Sequence, residues 1–461
     1  MSSFSMVPAP DSRLLRHLGD RVTFRLAGPL ASMANMRGFL RTNLGRAQRL
    51  RDETIASLGG SGTFAGASWR DIPMRPTAIG WELDLPMIEI GYFSAKAYAV
   101  EDDGTQHWPA GGDLGISIQP SDYRTANTVY CAFTRMFGRT KTAAITRDSL
   151  REGLLASLDA EGYSVIPPSG TFRDLIAELP HITGRLGCTI VHLLPVGPTP
   201  TTYARYGRFG SPYAQQDLTA IDPALVEFDQ RTTAIEQFGE LTAAAHLCGC
   251  RVFLDIVINH TGWGATLLNE HPDWFKRTAD GRFHSPGAWG TTWEDLVELD
   301  NSRPDLWEVI AQALITWCRR GVNGFRCDAG YMVPLPAWQY IVCRVRQEFP
   351  RTVFLLEGLG GSWAATEALL TTGGMQWAYS ELFQNFDAPA IITYLAHCAG
   401  AAASRGVLIH YSETHDNERL AAKGRAWSLL RNRLSALTSN AGAYGFTAGV
   451  EWLACEKLEV H

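Results

Sequence analysis

Three carboxylates and one arginine follow short apolar runs of the sequence at regular distances. Arg326 and Asp328 lie in GFRCD, Glu357 follows FLL, and Asp416 comes soon after VLIHY. Glu357 stands 29 residues after Asp328, the length of one βα repeat, and Asp416 stands 59 residues further on, close to two repeats. If each run is a strand of a parallel barrel, these side chains occupy equivalent strand ends and can meet in one site.

The surroundings of the two central carboxylates predict different protonation states. A buried carboxylate without a partner is costly, so each position needs a partner or a function. Arg326 lies two residues before Asp328 on the same strand face, and we expect it to keep Asp328 ionised. Glu357 has no basic residue nearby in the sequence, which favours a raised pKa and a protonated acid. Such a pair on adjacent strands, about 5 Å apart, is what a retaining glycosidase uses.

The elements that must position these residues are predicted from residue 126 to the end of the chain. Short apolar runs alternate there with longer segments of helical period, which is typical of βα units. Eight strands are predicted, the number of a (β/α)₈ TIM barrel. They begin near Val129, Thr189, Arg251, Val322, Thr352, Met375, Gly406 and Ala443.

Two connections are too long for a bare βα unit. Residues 138–170 are predicted to form an insertion with one helix, SLREGLLASL. Residues 261–303, after the third strand, form a loop rich in Trp, His, Gly and Asp, which we expect to shape the cleft. Four aromatic side chains of this loop could line subsites or pack locally, namely His271, His284, Trp289 and Trp293.

Residues 1–125 are predicted to form a small β-rich, sandwich-like N-terminal domain, because apolar residues alternate with period two in GWELDL and YFSAKAYAV. Within it, GRAQRLRDETIASL is compatible with a helix and stays unassigned. The chain stops at His461, just past the eighth strand, so the protein is either unusually short or a fragment.

Composition excludes several classes of partner. The formal net charge of −6 comes without a basic block, which argues against nucleic acid. Neither a signal peptide nor a membrane-spanning apolar run is evident, so a cytoplasmic enzyme is expected. Nine cysteines, an odd count set mostly in apolar segments, are expected to be free thiols. The sequence leaves the oligomeric state open.

Four short motifs, in order, resemble glycoside hydrolase family 13, the α-amylase family, over roughly residues 129–450. They are DIVINH at 255–260, GFRCDAGYMV at 324–333, FLLEG at 354–358 and THDN at 414–417. The resemblance implies that Asp328 is the nucleophile and Glu357 the general acid/base. It further implies that Asp416 binds sugar hydroxyls and stabilises the transition state, and that Arg326 orients the nucleophile.

The same resemblance implies a set of substrate-binding residues. His260 and His415 would hydrogen-bond the sugar at the cleavage subsite. The segment SPYAQQDLTAIDP at 211–223 is similar to the family's loop after strand two, which places Tyr213 as the ring stacking on that sugar. Asp255 is grouped with them, although the family uses this position mainly to brace the site.

No metal or cofactor is predicted. Asn259 stands where relatives often bind structural calcium, but the other supporting positions are not evident. Cys248 and Cys250 have no second Cys/His pair at the spacing of a zinc site.

The predicted function is a retaining enzyme that cleaves α-1,4 or α-1,6 bonds of an α-glucan or maltooligosaccharide through a covalent glycosyl-Asp328 intermediate. The alternative is a glucanotransferase on glycogen or maltodextrin, and the sequence does not separate hydrolysis from transfer. The N-terminal β-rich domain resembles the arrangement in branching, debranching and maltosyl-transferring members of the family, which slightly favours glycogen or maltodextrin metabolism. Tyr331 and Met332 stand where many amylases have a Lys-His pair that contacts the acceptor, so acceptor binding should differ. A non-catalytic sugar-binding relative should have lost a carboxylate, and this chain has all three.

Overall fold

The computed structural model describes residues 4–29, 35–125, 127–139, 149–161, 169–200, 210–288, 290–359, 361–439, 442–458 and 460. About half of the predicted insertion at 138–170 falls outside these residues. Its predicted helix is described and spans Ser149–Ala160. Among the described residues, no helix is both long enough and apolar enough to cross a bilayer.

The first ten strands form two sheets that pack on each other. They are β1 (Ser5–Val7), β2 (Arg13–His17), β3 (Arg21–Ala27), β4 (Met36–Thr42), β5 (Arg70–Pro73), β6 (Arg75–Thr77), β7 (Gly80–Pro86), β8 (Gly91–Glu101), β9 (Gln106–His107) and β10 (Leu114–Gln119). One sheet has the order β1-β3-β7-β6, and the other has the order β2-β10-β8-β4-β5 with β9 beside β8. Side chains from both sheets, including Phe24, Trp81, Phe93 and Ile116, share one buried core. The predicted sandwich-like region is confirmed.

The unassigned stretch of this region is a helix, α1 (Ala47–Leu58). Only Ala47 of this helix is fully buried, while Ile55 and Leu58 pack against the core of the barrel. The sequence is ambiguous here because the helix buries its apolar side chains against a distant part of the chain.

All eight predicted barrel strands are present and close into one barrel. They are β11 (Thr128–Ala132), β12 (Ile190–Leu193), β13 (Arg251–Val257), β18 (Gly324–Asp328), β19 (Val353–Leu356), β20 (Gln376–Tyr379), β21 (Val407–Tyr411) and β22 (Ala443–Thr447). Neighbouring strands are parallel, as in the pairing of Asp255 on β13 with Arg326 on β18. This confirms the (β/α)₈ architecture.

Helices and short strands connect the barrel strands. The helices are α2 (Ser149–Ala160), α3 (Phe172–Leu179), α4 (Ala234–Leu247), α5 (Thr266–Glu270), α6 (Pro304–Arg319), α7 (Leu335–Glu348), α8 (Trp363–Leu370), α9 (Ala388–Ser404) and α10 (Arg425–Thr438). The long connection after β13 contains α5 and four short strands, β14 (His260–Gly262), β15 (Gly287–Ala288), β16 (Thr291–Thr292) and β17 (Leu296–Glu298).

The N-terminal sandwich and the barrel meet through buried side-chain amides. Gln119, the last residue of β10, donates to the backbone oxygen of Gln376 at 3.2 Å, and Gln376 donates back to the oxygen of Ile118 at 3.0 Å. The indole of Trp377 donates to Gln119 Oε1 at 3.1 Å. Because buried amides need partners, these reciprocal bonds specify how β10 lies on β20.

Candidate active site

The three carboxylates lie at the carboxyl ends of barrel strands, at the rim of one open cleft. Asp328 is the last residue of β18, Glu357 follows β19 directly, and Asp416 follows β21 by five residues. All three line a cleft of about 790 Å³. The side chains of Asp328 and Glu357 are 14% and 12% exposed, whereas Asp416 is 56% exposed. The first two are therefore largely desolvated, and the third faces the open cleft.

Arg326 connects the carboxylates beneath the cleft. Its Nη1 donates to Asp328 Oδ1 at 2.6 Å and to Asp255 Oδ1 at 3.0 Å. Its Nη2 lies 3.3 Å from Glu357 Oε1. The prediction paired Arg326 with Asp328 alone and treated Glu357 as lacking a basic neighbour, and the structure corrects that picture. The strand neighbouring β18 carries Glu357, so the contact is made across strands and leaves no trace in the local sequence.

Backbone geometry orients Glu357 further. Its Oε2 accepts a 2.6 Å hydrogen bond from the backbone N–H of Ala329. Ala329 has a φ of 43°, in the left-handed region that residues other than glycine rarely adopt. This strained turn directly after β18 aims an N–H at the carboxylate, and strain of this kind is characteristic of functional sites.

Burial controls the ionisation of the carboxyl pair. Removal from water raises the pKa of Glu357 and that of Asp328, and the Arg326 guanidinium acts against this shift in both. The negative charge of Glu357 further raises the pKa of Asp328. Two buried carboxyls sharing one cation are expected to titrate as a unit and to retain a proton more readily than separate carboxyls.

A hydrogen-bonded chain lies below the cleft and includes three predicted substrate-binding residues, Asp255, Tyr213 and His415. Asp255 Oδ2 accepts from the Tyr213 hydroxyl at 3.0 Å and lies 3.3 Å from His192 Nε2. The Tyr213 hydroxyl is 2.6 Å from His415 Nε2, and the two rings stack with an interplanar angle of 11°. His415 Nε2 is in turn 3.3 Å from Asp416 Oδ2.

The structure separates the four predicted substrate-binding residues into two groups. Tyr213 and His260 line the cleft. Asp255 has a fully buried side chain that is bonded to Arg326, which corrects its grouping with substrate-binding residues: its position is that of a brace. His415 is also buried, with 1% of its side chain exposed.

His260 offers an unused nitrogen to the cleft. Its Nε2 has no hydrogen-bond partner among the described residues and lies 4.0 Å from Asp328 Oδ2. Burial lowers the pKa of His260 to about 3, so the ring is neutral at physiological pH. A neutral, unpaired imidazole beside a carboxylate is suited to hydrogen-bond a sugar hydroxyl.

Comparison with known proteins identifies the barrel. Residues 131–353 match the family model for the alpha-amylase catalytic domain. The barrel is an alpha-amylase family catalytic domain. An alpha-amylase from Lactobacillus plantarum superimposes with a TM-score of 0.57 and 25% identity, covering 73% of this chain and 74% of that one. A cyclomaltodextrinase shares the fold with a TM-score of 0.55 and 16% identity, covering 96% of this chain and 77% of that one.

Curated relatives of this alpha-amylase family domain carry the name alpha-1,4-glucan:maltose-1-phosphate maltosyltransferase. The one from Rhodospirillum rubrum is 28% identical over 329 residues, which are 63% of this chain and 46% of that protein. The one from Cereibacter sphaeroides is 32% identical over 205 residues, which are 41% of this chain and 33% of that protein. The chain thus spans less than half the length of these relatives.

The predicted cleft-shaping loop of the alpha-amylase family domain does border the cleft. Thr291, Trp293, Asp295 and Leu296 line it. The two histidines of this loop pack locally instead: His271 stacks on Trp274 with ring centres 3.9 Å apart, and His284 Nδ1 is 2.6 Å from Glu298 Oε2. Trp289 lies outside the described residues.

Several cleft residues of the alpha-amylase family domain were missed by the sequence analysis. They are Leu359, Phe383, Gln384, Asn417 and Lys457. Asn417 closes the THDN motif and could have been singled out. Lys457 comes from the chain beyond β22 and reaches the cleft through tertiary structure alone.

Tyr331 and Met332, the pair expected to alter acceptor binding, have different surroundings. Tyr331 lines the cleft, whereas the sulfur of Met332 lies 3.8 Å from Asn259 Nδ2, away from the opening. Asn259 Nδ2 also lies 3.4 Å from His260 Nδ1. Of these two residues, Tyr331 is the one whose side chain lines the cleft.

Proposed function

We propose that Asp328 attacks the anomeric carbon of an α-glucosyl unit and that Glu357 first protonates the leaving oxygen and later deprotonates the incoming acceptor. The supporting observation is the Arg326 guanidinium, which contacts both carboxyls from below and leaves them facing the cleft. Retaining glycoside chemistry needs one carboxyl in each protonation state.

Burial and the charge of Glu357 raise the pKa of Asp328, but Asp328 has the shorter contact with Arg326, and we infer from it that Asp328 is the ionised carboxyl and Glu357 the protonated one. Arg326 makes a 2.6 Å hydrogen bond to Asp328 but a 3.3 Å contact to Glu357. Shorter, charge-assisted bonds stabilise the ionised form more strongly. The Ala329 N–H also bonds Glu357, which favours ionisation once the proton has been given to the leaving group. Glu357 can then act as the base of the second step.

The remaining site residues support the transition state in this proposal. Asp416, exposed in the cleft, accepts hydrogen bonds from sugar hydroxyls, and the neutral His260 bonds another hydroxyl. Tyr213 presents its ring to the sugar face, held by hydroxyl contacts to Asp255 and His415. Asp255 and Arg326 position the reacting groups without touching the sugar.

We further propose that a sugar hydroxyl, rather than water, intercepts the intermediate, so that the enzyme is a transglycosidase on α-1,4-glucan. The relatives named alpha-1,4-glucan:maltose-1-phosphate maltosyltransferase favour maltosyl transfer. This selects the alternative from the sequence analysis over simple hydrolysis. Tyr331 lines the cleft where an acceptor glucan would lie, and a phenol ring there can stack on an acceptor sugar.

The nine cysteines are free, which supports a reducing compartment such as the cytoplasm as the place of this reaction.

Product analysis tests the proposal. The purified chain is incubated with maltoheptaose, with glycogen, and with maltose 1-phosphate plus maltohexaose, and products are resolved by chain length. Transfer yields oligosaccharides longer than the starting acceptor, and maltosyl transfer from maltose 1-phosphate also releases inorganic phosphate. Short sugars alone would establish hydrolysis. The Asp328→Asn variant serves as the inactive control.

A further inference from the structure

A second cavity, of about 280 Å³, lies between α1 of the N-terminal region and α7 of the barrel. Arg51 and Thr54 of α1 face Cys343 and Arg346 of α7 across it. Residues 372–374, which come directly before β20, also line it. The cavity is thus near the amino-terminal ends of the barrel strands, while the catalytic cleft is at their carboxyl ends. The two are separate sites.

Two arginines face this cavity without an ion-pair partner among the described residues. Arg346 is 3% exposed, and its described bonds go to carbonyl and amide oxygens of Thr352, Gly374 and Gln376. Arg51 makes one described hydrogen bond, from Nη2 to the backbone oxygen of Ile90 at 3.0 Å. Arg51 therefore retains unused N–H donors.

The acidic side chains around α1 are engaged elsewhere. Asp52 Oδ1 accepts from Gln48 at 3.0 Å and from Gln347 at 2.7 Å. Glu89 Oε2 accepts from the backbone N–H of Ala47 at 3.0 Å. Neither forms an ion pair with Arg51 in the part of the chain that the structure describes. Their charges act against the lowering of the Arg51 pKa by burial.

The positive charge of the cavity is visible in the ionisation of Arg346. Burial, together with the positive charge of Arg51, lowers the pKa of Arg346 to about 9. The pKa of a guanidinium is lowered where its positive charge is buried and nearby negative charge does not balance it. An anion between the two arginines would restore that compensation.

We propose that this cavity binds a small phosphomonoester of about monosaccharide size. A phosphate dianion matches two guanidinium charges and accepts several hydrogen bonds at once. The other walls suit a sugar: the side chains of Asn43, Thr54 and Gln339 are polar, and Phe64 and Tyr92 supply rings. The binding would hold α1 against α7 and so couple the N-terminal sandwich to the barrel.

Isothermal titration of the whole chain with glucose 6-phosphate, inorganic phosphate and glucose tests this site. We expect one binding site for glucose 6-phosphate, weaker binding of inorganic phosphate, and glucose binding at least tenfold weaker than that of glucose 6-phosphate. Arg51→Gln should weaken glucose 6-phosphate binding at least tenfold. Arg49→Gln, the same charge change on an exposed face of the same helix, should leave it within twofold.

A second variant tests the same cavity independently of Arg51→Gln. Thr54→Glu places a carboxylate in the cavity beside Arg51 on a helix that tolerates glutamate, and it should abolish phosphate binding while circular dichroism stays unchanged. The proposal is overturned if neither phosphate compound binds the wild-type chain, or if binding survives both Arg51→Gln and Thr54→Glu. Survival would place the phosphate elsewhere, for example in the catalytic cleft.

Discussion

Arg326 donates a 2.6 Å hydrogen bond from Nη1 to Asp328 Oδ1, with both residues on strand β18 and two positions apart. The guanidinium is 1% exposed and its second nitrogen reaches Glu357 on the neighbouring strand. Arg326 is buried, so water cannot take its place between the two carboxyl groups. The distance between the Asp328 and Glu357 carboxyls therefore depends on the Arg326 side chain.

Replacing Glu357 with Gln should remove the proton donor and leave the nucleophile intact. We expect turnover on maltoheptaose to fall about 10²- to 10⁴-fold, the usual contribution of general acid catalysis. α-Maltosyl fluoride has a leaving group that needs little protonation, so the first step should be affected at least tenfold less, measured as the burst of fluoride release. Asp328→Asn should lose activity with both substrates. Equal losses with both substrates for Glu357→Gln would contradict its role as the acid.

Asp255→Asn should act on turnover rather than on substrate affinity. The side chain is buried and bonds Arg326 and Tyr213, so the variant weakens a charge-assisted bond worth about 1.5–3 kcal/mol. If all of this free energy is lost from the stabilisation of the transition state, kcat falls about 10- to 100-fold while KM stays nearly constant. Steady-state kinetics with maltoheptaose separate the two constants. A rise in KM at unchanged kcat would indicate direct sugar binding by Asp255.

The carboxyl pair should make stability decline as pH rises. Burial raises the pKa of Glu357 in the folded chain, so the folded state binds this proton more tightly than the unfolded state. Its contribution to stability is complete below the ordinary glutamate pKa and is lost as pH rises through the raised value. The Glu357→Gln variant has no titrating proton at this position, so its stability does not decline with pH for this reason. The free energy of unfolding of the variant relative to wild type should therefore increase from pH 5 to pH 8 in urea titrations.

The exposed Glu418 provides a control for this measurement, since 72% of its side chain is open to solvent. Glu418→Gln should show a difference from wild type that changes far less with pH. A difference for Glu357→Gln that is flat or falls with pH would show that Arg326 outweighs burial.

Tyr331→Ala should change the fate of the intermediate without changing its formation. Tyr331 lines the cleft next to Glu357, but Arg326, Asp328 and Glu357 keep their contacts without it. We expect the ratio of transfer to hydrolysis products to fall several-fold while donor consumption stays within about threefold, because one aromatic stacking contact is worth about 0.5–1.5 kcal/mol. Met332→Leu, which alters the half-buried neighbour that is not among the residues lining the cleft, is the matched control. An unchanged product ratio would exclude Tyr331 from acceptor binding.

The architecture and the identity of the reacting residues were accessible from the sequence. The eight barrel strands are short apolar runs at βα spacing, a pattern that local hydrophobicity encodes directly. Asp328, Glu357 and Asp416 follow three of those runs, and parallel strands necessarily bring their carboxyl ends together. The order of the four motifs further identified the family.

Tertiary structure alone decided which side chains touch. Arg326 reaches Glu357 at the end of the neighbouring strand, Asp255 lies beneath the site rather than on its wall, and Lys457 enters the cleft from beyond the last strand. The helix α1 and its arginine-lined cavity exist only because α1 packs on a barrel helix nearly 300 positions later in the chain. Periodicity reports which face of an element is buried, whereas the partner on that face is set by how distant elements pack.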